Sequence, residues 1–126
     1  MASSITLTAP VSAAQGEVVS VAVTVTNISA YHYSFKTEIY KVPDLYPDEK
    51  IFDNGPTGEI ITSGSARTYG ASFVMPDCNV TVLVWVERWN FDHWEYDNAV
   101  SKVVLLYVPV PQPEFSGLTL VSITKL

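Results

Sequence analysis

The sequence predicts an all-β sandwich, and three observations carry that prediction. The composition favours extended chain: 18 Val, 7 Ile and 11 Thr stand beside 15 aromatic residues (5 Phe, 7 Tyr and 3 Trp), and β-branched and aromatic side chains suit a pleated, half-buried surface. Two long stretches alternate apolar and polar residues with a period of two, the pattern of a strand with one buried face. Turn-forming residues recur roughly every 8–15 positions with no helical segment between them, which favours a sandwich over a parallel sheet with crossover helices. At 126 residues, 48% hydrophobic and 16% charged, the chain is the size of one domain and has the apolar material for a core.

Residues 4–9 read as a first strand, ended by Pro10. Gly16 opens the clearest one, residues 17–27, in which Val19, Val21, Val23 and Val25 share one face and Ser20, Ala22, Thr24 and Thr26 the other. The next strand covers residues 31–42. Tyr33, Phe35 and Ile39 point one way, His32, Ser34, Lys36 and Glu38 the other, and Pro43 stops it. Residues 44–58 read as a long acidic loop punctuated by Pro47, Gly55 and Pro56, with a short edge strand at 50–52 and a turn at Asp53-Asn54-Gly55. Strands at 59–62 and 66–75 follow, split by Ser63-Gly64-Ser65, and Pro76-Asp77 makes the next turn. Residues 79–89 form the second strong strand, with Val80, Val82, Val84 and Val86 inward and Thr81, Leu83, Trp85, Glu87 and Trp89 outward. A tip at 90–93 joins it to a strand that resumes by Trp94 and runs to Val108, with a break at Asp97-Asn98.

The domain organisation that follows is a sandwich over residues 1–108, a Pro-rich spacer at 109–114 and a C-terminal strand at 115–126. Pro109, Pro111 and Pro113 stand at alternate positions. Each fixes φ and removes an amide donor, so a stiff, extended spacer is expected. Phe115, Leu118, Leu120, Val121 and Ile123 then need burial, either on the chain's own sheet or by exchange with a neighbouring subunit.

Charge and residue inventory exclude several function classes. Seven Lys and Arg against 13 Asp and Glu give a formal net charge of −6, which argues against a nucleic-acid binder, since that needs a basic face. No run approaches the roughly 18 apolar residues of a spanning helix, so no membrane insertion is expected. The opening Met-Ala-Ser-Ser lacks the positive start and apolar run of a signal peptide, which predicts a protein made without secretion or a leader replaced by Met. Cys78 is the single cysteine, so an internal disulfide is excluded, and it reads as a small thiol beside a turn.

An enzyme is not expected. His32 and His93 are the only histidines, neither lies in a nucleophile motif, and the sequence holds neither a zinc-type Cys/His cluster nor a Gly-rich phosphate loop. No cofactor is predicted. Calcium is a weaker option, because hard cations take loop oxygens: Asp44, Asp48, Glu49 and Asp53 share one loop, and Asp92, Asp97 and Asn98 another. Neither set follows the Asp-x-Asp-x-Asp-Gly spacing, and solvated turn acids are the plainer reading. Asn27-Ile28-Ser29 and Asn79-Val80-Thr81 are glycosylation-type triplets.

A Gly-initiated strand closes on Val23-Thr24-Val25-Thr26-Asn27. A small-residue turn then precedes Phe73-Val74-Met75-Pro76-Asp77, a Val-alternating stretch covers 80–86, and Asp97-Asn98 stands before the end of the last strand. Together these resemble the bacterial cell-adhesion-related immunoglobulin-like domains, over roughly residues 5–108. The resemblance implies an immunoglobulin-like Greek-key β-sandwich of seven or more strands with no catalytic residues. It also implies use on cell surfaces or, without signal peptides, in virion coats and tails. The acidic segment 44–58 and the Pro-spaced terminal strand lie outside the pattern.

The aromatic set carries the most information about function. Leu83, Trp85 and Trp89 share the outward face of one strand, and Trp94 and Tyr96 follow just across the hairpin tip. Contiguous exposed apolar residues mark interfaces, and Trp and Tyr are enriched at hot spots. Three readings stay open: cover by the chain's own long loop or terminal strand, a subunit contact, or a sugar-stacking platform. The expected function is that of a non-enzymatic structural protein working through protein–protein contacts, a virion decoration, coat or tail component. It self-associates, as a trimer, within a larger assembly. The alternative is a carbohydrate-binding or adhesin module of a surface protein.

Overall fold

The computed structural model describes residues 1–109. The spacer beyond Pro109 and the strand expected at 115–126, with Phe115, Leu118, Leu120, Val121 and Ile123, lie outside the described residues. Nine strands form among the described residues: β1 (Ser3–Thr8), β2 (Ser12–Ala14), β3 (Val18–Asn27), β4 (Tyr33–Pro43), β5 (Glu49–Asp53), β6 (Glu59–Ile61), β7 (Ala66–Val74), β8 (Val80–Asn90) and β9 (His93–Tyr107). Among the described residues there is no helix, and so none long and apolar enough to cross a membrane.

The strands make two sheets, one of three strands in the order β1-β3-β7 and one of six in the order β2-β9-β8-β4-β5, with β6 also paired to β4. All pairings are antiparallel except the short parallel one of β2 with β9. The two alternating stretches become the central strands, β3 and β8. Val19, Val21, Val23 and Val25 from one sheet and Val80, Val82, Val84 and Val86 from the other are buried in one core with Phe35, Ile39, Ile61, Met75 and Val104. Each buried valine stabilises the fold by roughly 1.5–3 kcal/mol relative to exposure. The protein is an all-β sandwich, as the alternation predicted.

Several boundaries differ from expectation, each for a local reason. β4 starts at Tyr33 rather than residue 31, because the chain before it winds around the buried side chain of Asn27. That amide donates to the carbonyls of Tyr31 (2.7 Å) and Ile61 (2.8 Å) and accepts from the N–H and hydroxyl of Ser29 (2.9 and 2.7 Å). His32 therefore leaves the strand, and its Nδ1 accepts from the Ser63 N–H at 2.9 Å. Pro43 is the last residue of β4, opposite Val80, rather than its stop.

The last strand is unbroken at Asp97-Asn98. The ladder instead shifts register opposite Val86/Glu87, and Asp97 is the extra residue of that bulge. Its buried carboxylate accepts from the N–H groups of Ala2 (2.8 Å) and Ser3 (2.9 Å) and from the Ser3 hydroxyl, while Asn98 donates to the Ser3 carbonyl at 3.0 Å. The pair stitches β1 of one sheet to β9 of the other. β2 was not expected, since three residues after a proline show no periodicity.

The acidic segment also acquires structure. β5 and β6 pair with different parts of β4, and between them the Asn54 side chain takes the place of a strand. Its carbonyl accepts from the Thr37 N–H (3.0 Å), and its amide donates to the Phe35 carbonyl (3.1 Å). Asn54 also donates to the Tyr69 hydroxyl (3.2 Å), which in turn donates to Glu59 (2.6 Å). Burial, with the Glu59 carboxylate beside it, pushes the Tyr69 hydroxyl up to about 12.

Candidate functional site: the outer face of the larger sheet

Strand parity builds the site. With the β8 valines inward, Leu83, Trp85, Glu87 and Trp89 must face out, and the register of β9 brings Trp94 opposite Trp89 and Tyr96 opposite Glu87. The expected aromatic set therefore assembles. The Trp85 and Tyr96 ring centroids lie 4.7 Å apart, and those of Trp89 and Trp94 lie 5.2 Å apart, edge to face. Trp89 and Tyr96 are exposed, at 38% and 55%, while Leu83, Trp85 and Trp94 are half-buried. The strip continues along β9 through Val103, Leu105 and Tyr107, all exposed. Lys36 of β4 lies over the Trp94 ring at 5.0 Å and 3.8 Å from Glu87, and the Trp85 indole donates to Glu87 at 3.3 Å.

The chain's own loop covers one flank of this set and leaves a cleft. Ser34, Pro56, Thr57, Trp89 and Trp94 line an open volume of about 410 Å³. The loop can lie so low because of Gly58. Its φ is +61°, and a Cβ there would come within 2.3 Å of the Phe35 carbonyl oxygen and 3.1 Å of the Trp94 ring. Any larger residue must lift the loop. A second, charged depression of about 250 Å³ adjoins it, sharing Pro56 and lined by Lys36, Glu38, Lys50 and Asp53. Its charges pair internally, Lys50 with Glu38 (3.2 Å) and Asp53 (3.3 Å). The Gly55 N–H, with Lys50 beside it, holds the Asp53 carboxyl below its ordinary value.

The hairpin tip at this end is strained. Phe91 has φ +61° and is 94% exposed, and the Asp92 N–H donates to the Asn90 carbonyl at 2.7 Å. That is the rare positive-φ γ-turn, held by a bulky residue for which this conformation is unfavourable. Next to it, His93 contacts Asp92 (2.8 Å) and Glu95 (3.4 Å). The Asp92 hydrogen bond, with Glu95 adding to it, raises the imidazole above its usual value. Arg88, 2.6 Å from Glu95, is the chief group lowering the Glu95 carboxyl.

The remaining candidates fall elsewhere. Asp97 is spent on β1, and Glu49 lies 3.7 Å from Lys41. Among the described residues no group of three or more His, Cys, Asp or Glu is placed to hold a metal ion. Asn27 is fully buried, so the first glycosylation-type triplet serves the loop, and Asn79 of the second accepts from the Leu106 N–H at 2.7 Å. Cys78 is buried. Sequence reasoning missed the cleft wall, Ser34, Pro56 and Thr57, and the strained Phe91. Only the absence of Gly, Asn or Asp at position 91 of so short a turn signalled the last.

No known protein family matches the sequence, and no curated protein matches it. Solved structures do. The CARDB domain, a cell-adhesion-related module, of a Pyrococcus furiosus protein, solved in complex with di-metal ions, superposes with a TM-score of 0.53 at 12% identity. The match covers 83% of this chain and 89% of that one. The sporulation control protein Spo0M of Bacillus subtilis gives 0.52 at 15% identity over 86% of this chain and 51% of its own. A β-glucosidase of Listeria innocua gives 0.51 at 16% identity over 86% of this chain and 17% of its own. The chain thus spans about half of Spo0M and about a sixth of the glucosidase. At these identities the likeness shows the fold alone, a β-sandwich of immunoglobulin-like type shared with a cell-adhesion-related domain.

Proposed function

We propose that this chain is a non-enzymatic structural module that assembles through protein–protein contacts on the outer face of its larger sheet. The observation that carries the reading is the strip of Trp85, Tyr96, Trp89 and Trp94, extended by exposed Val103, Leu105 and Tyr107 along one side of β8 and β9. Such a patch on a domain this small is costly to leave in water and has the composition of an interface hot spot. The setting proposed is a virion, with the chain as a decoration, coat or tail component, trimeric within a larger assembly and with residues 115–126 exchanged between subunits. The low charged fraction and the alternate prolines of the spacer support that setting.

Size-exclusion chromatography with light scattering tests the reading. The parent should elute as an oligomer, and Trp85→Ser with Tyr96→Ser should give a folded monomer. An oligomer indifferent to both changes rules out this face. Truncation after Val110 tests exchange: a folded product that still assembles like the parent excludes it.

One observation favours a second reading. The Ser34 and Thr57 side chains stand beside the Trp89 and Trp94 rings in an open cleft, an arrangement in which an indole stacks on a pyranose and hydroxyls bond its hydroxyl groups. A monomer retained on immobilised glycan, and released by Trp89→Ala, would establish it.

A further inference from the structure

We propose that the Trp89–Trp94 cleft takes the segment Val108-Pro109-Val110-Pro111-Gln112-Pro113 of a second copy of this chain, an inference that rests on the assembly reading above. The cleft has the chemistry that recognises a Pro-rich extended chain. Two tryptophans and Pro56 wall it, and aromatic-lined grooves bind such segments by packing their rings and apolar side chains between indoles. Whereas the Trp85 indole N–H is spent on Glu87, those of Trp89 and Trp94 make no such bond among the described residues. A chain lacking amide donors at its prolines offers carbonyl acceptors to just such groups.

The segment fits the role by its spacing. In an extended chain of three residues per turn, the sequence would place Val108 and Pro111 on one edge and Val110 and Pro113 on another, with Gln112 and Pro109 on the third. Two adjacent edges are therefore wholly apolar, enough to fill a two-walled groove while the third faces water.

Reach decides that the occupant is a second copy. β9 begins at His93 beside the cleft and runs fifteen residues to Tyr107, about 45 Å at ~3.3 Å per residue. The six steps from Tyr107 to Pro113 return at most about 19 Å at ~3.1 Å each. That length is too short to bring the segment from Tyr107 to the chain's own cleft, so the cleft's occupant comes from another copy. The contact is head-to-tail, so it propagates into a ring or a filament. The strained and almost fully exposed Phe91 stands at the same end as the cleft. Strain of this kind gathers at sites of binding.

The test is a titration of the synthetic peptide of residues 107–115 into the full chain, followed by the indole N–H resonances. Those of Trp89 and Trp94 should shift while that of Trp85 does not. Replacing all three prolines of the peptide by alanine should weaken binding by about tenfold or more, as should Thr57→Trp, which blocks the cleft from an exposed loop position. In the full chain, Pro111→Ala with Pro113→Ala should reduce the oligomer. A peptide that leaves both indoles unmoved overturns the proposal, as do indoles that respond to a glucan oligosaccharide and not to the peptide. If assembly survives the proline changes but is lost on Trp85→Ser with Tyr96→Ser, the outer-face reading stands and the docking fails. If the parent is a monomer, the assembly reading fails, and the peptide titration still decides the cleft.

Discussion

Removing the carboxylate of Asp97 should unfasten the two sheets from one another. Asp97→Ala leaves the N–H groups of Ala2 and Ser3 and the Ser3 hydroxyl, all in buried residues, without the acceptor that now serves them at 2.8 and 2.9 Å for the two amides. A buried donor left unsatisfied costs about 1–3 kcal/mol. Two amides at the lower half of that range and a hydroxyl free to rotate total roughly 3–5 kcal/mol. The carboxylate's own desolvation, no longer needed, offsets part of this, leaving an expected loss of about 3 kcal/mol. For a domain of this size that lowers Tm by roughly 10 °C or more. Ser3→Ala, which removes one of the three donors, should cost about 1 kcal/mol, and the double variant should lose less than the sum. Urea melts give the magnitude, and hydrogen exchange gives the place: the Ala2 and Ser3 amides should lose protection while those at the centre of β8 keep theirs. An Asp97→Ala protein that melts within about 2 °C of the parent would refute the idea that the bulge exists to clamp β1.

The other expectations follow from the core and from the exposed tip. Val84→Asp buries an unpaired charge at a fully buried position on the central strand of the larger sheet and should cost about 3 kcal/mol or more; melting at the parent temperature would overturn the strand parity. Phe91→Gly relieves a positive φ and should raise stability by about 1 kcal/mol, with any oligomer weakened; a drop in Tm would show that the turn is not strained. The imidazole of His93 should titrate above its ordinary 6.5, because Asp92 and Glu95 favour its charged form, and NMR should show Asp92→Asn bringing it down. The folded value exceeds the unfolded one, so the small stabilisation from this tip is fully present below pH 6.5 and is lost as pH rises through the folded value. A midpoint at or below 6.5 would contradict the hydrogen bond.

Parity along a single strand is a local property, and the chain displays it without help. Val19 to Val25 and Val80 to Val86 announce two buried faces, and once the second points inward Trp85 and Trp89 must point outward, because successive side chains alternate. The all-β class, the order of the strong strands, the burial of Val23 and Val84 and the outward aromatic set were therefore legible in one dimension. What depends on partners distant in the chain was not. Asp97-Asn98 has the composition of a turn, and it becomes a bulge because Ala2 and Ser3, some ninety-five positions away, bring donors to it. β2 is too short to carry a period and exists because the edge of β9 lies open beside it. The cleft forms because β4, the loop ending at Gly58 and the β8–β9 hairpin converge, and the glycine that permits it is specified by a carbonyl of Phe35 that the local sequence does not reveal. Alternation selects the face of a strand; the contacts between strands select which parts of that face become a site.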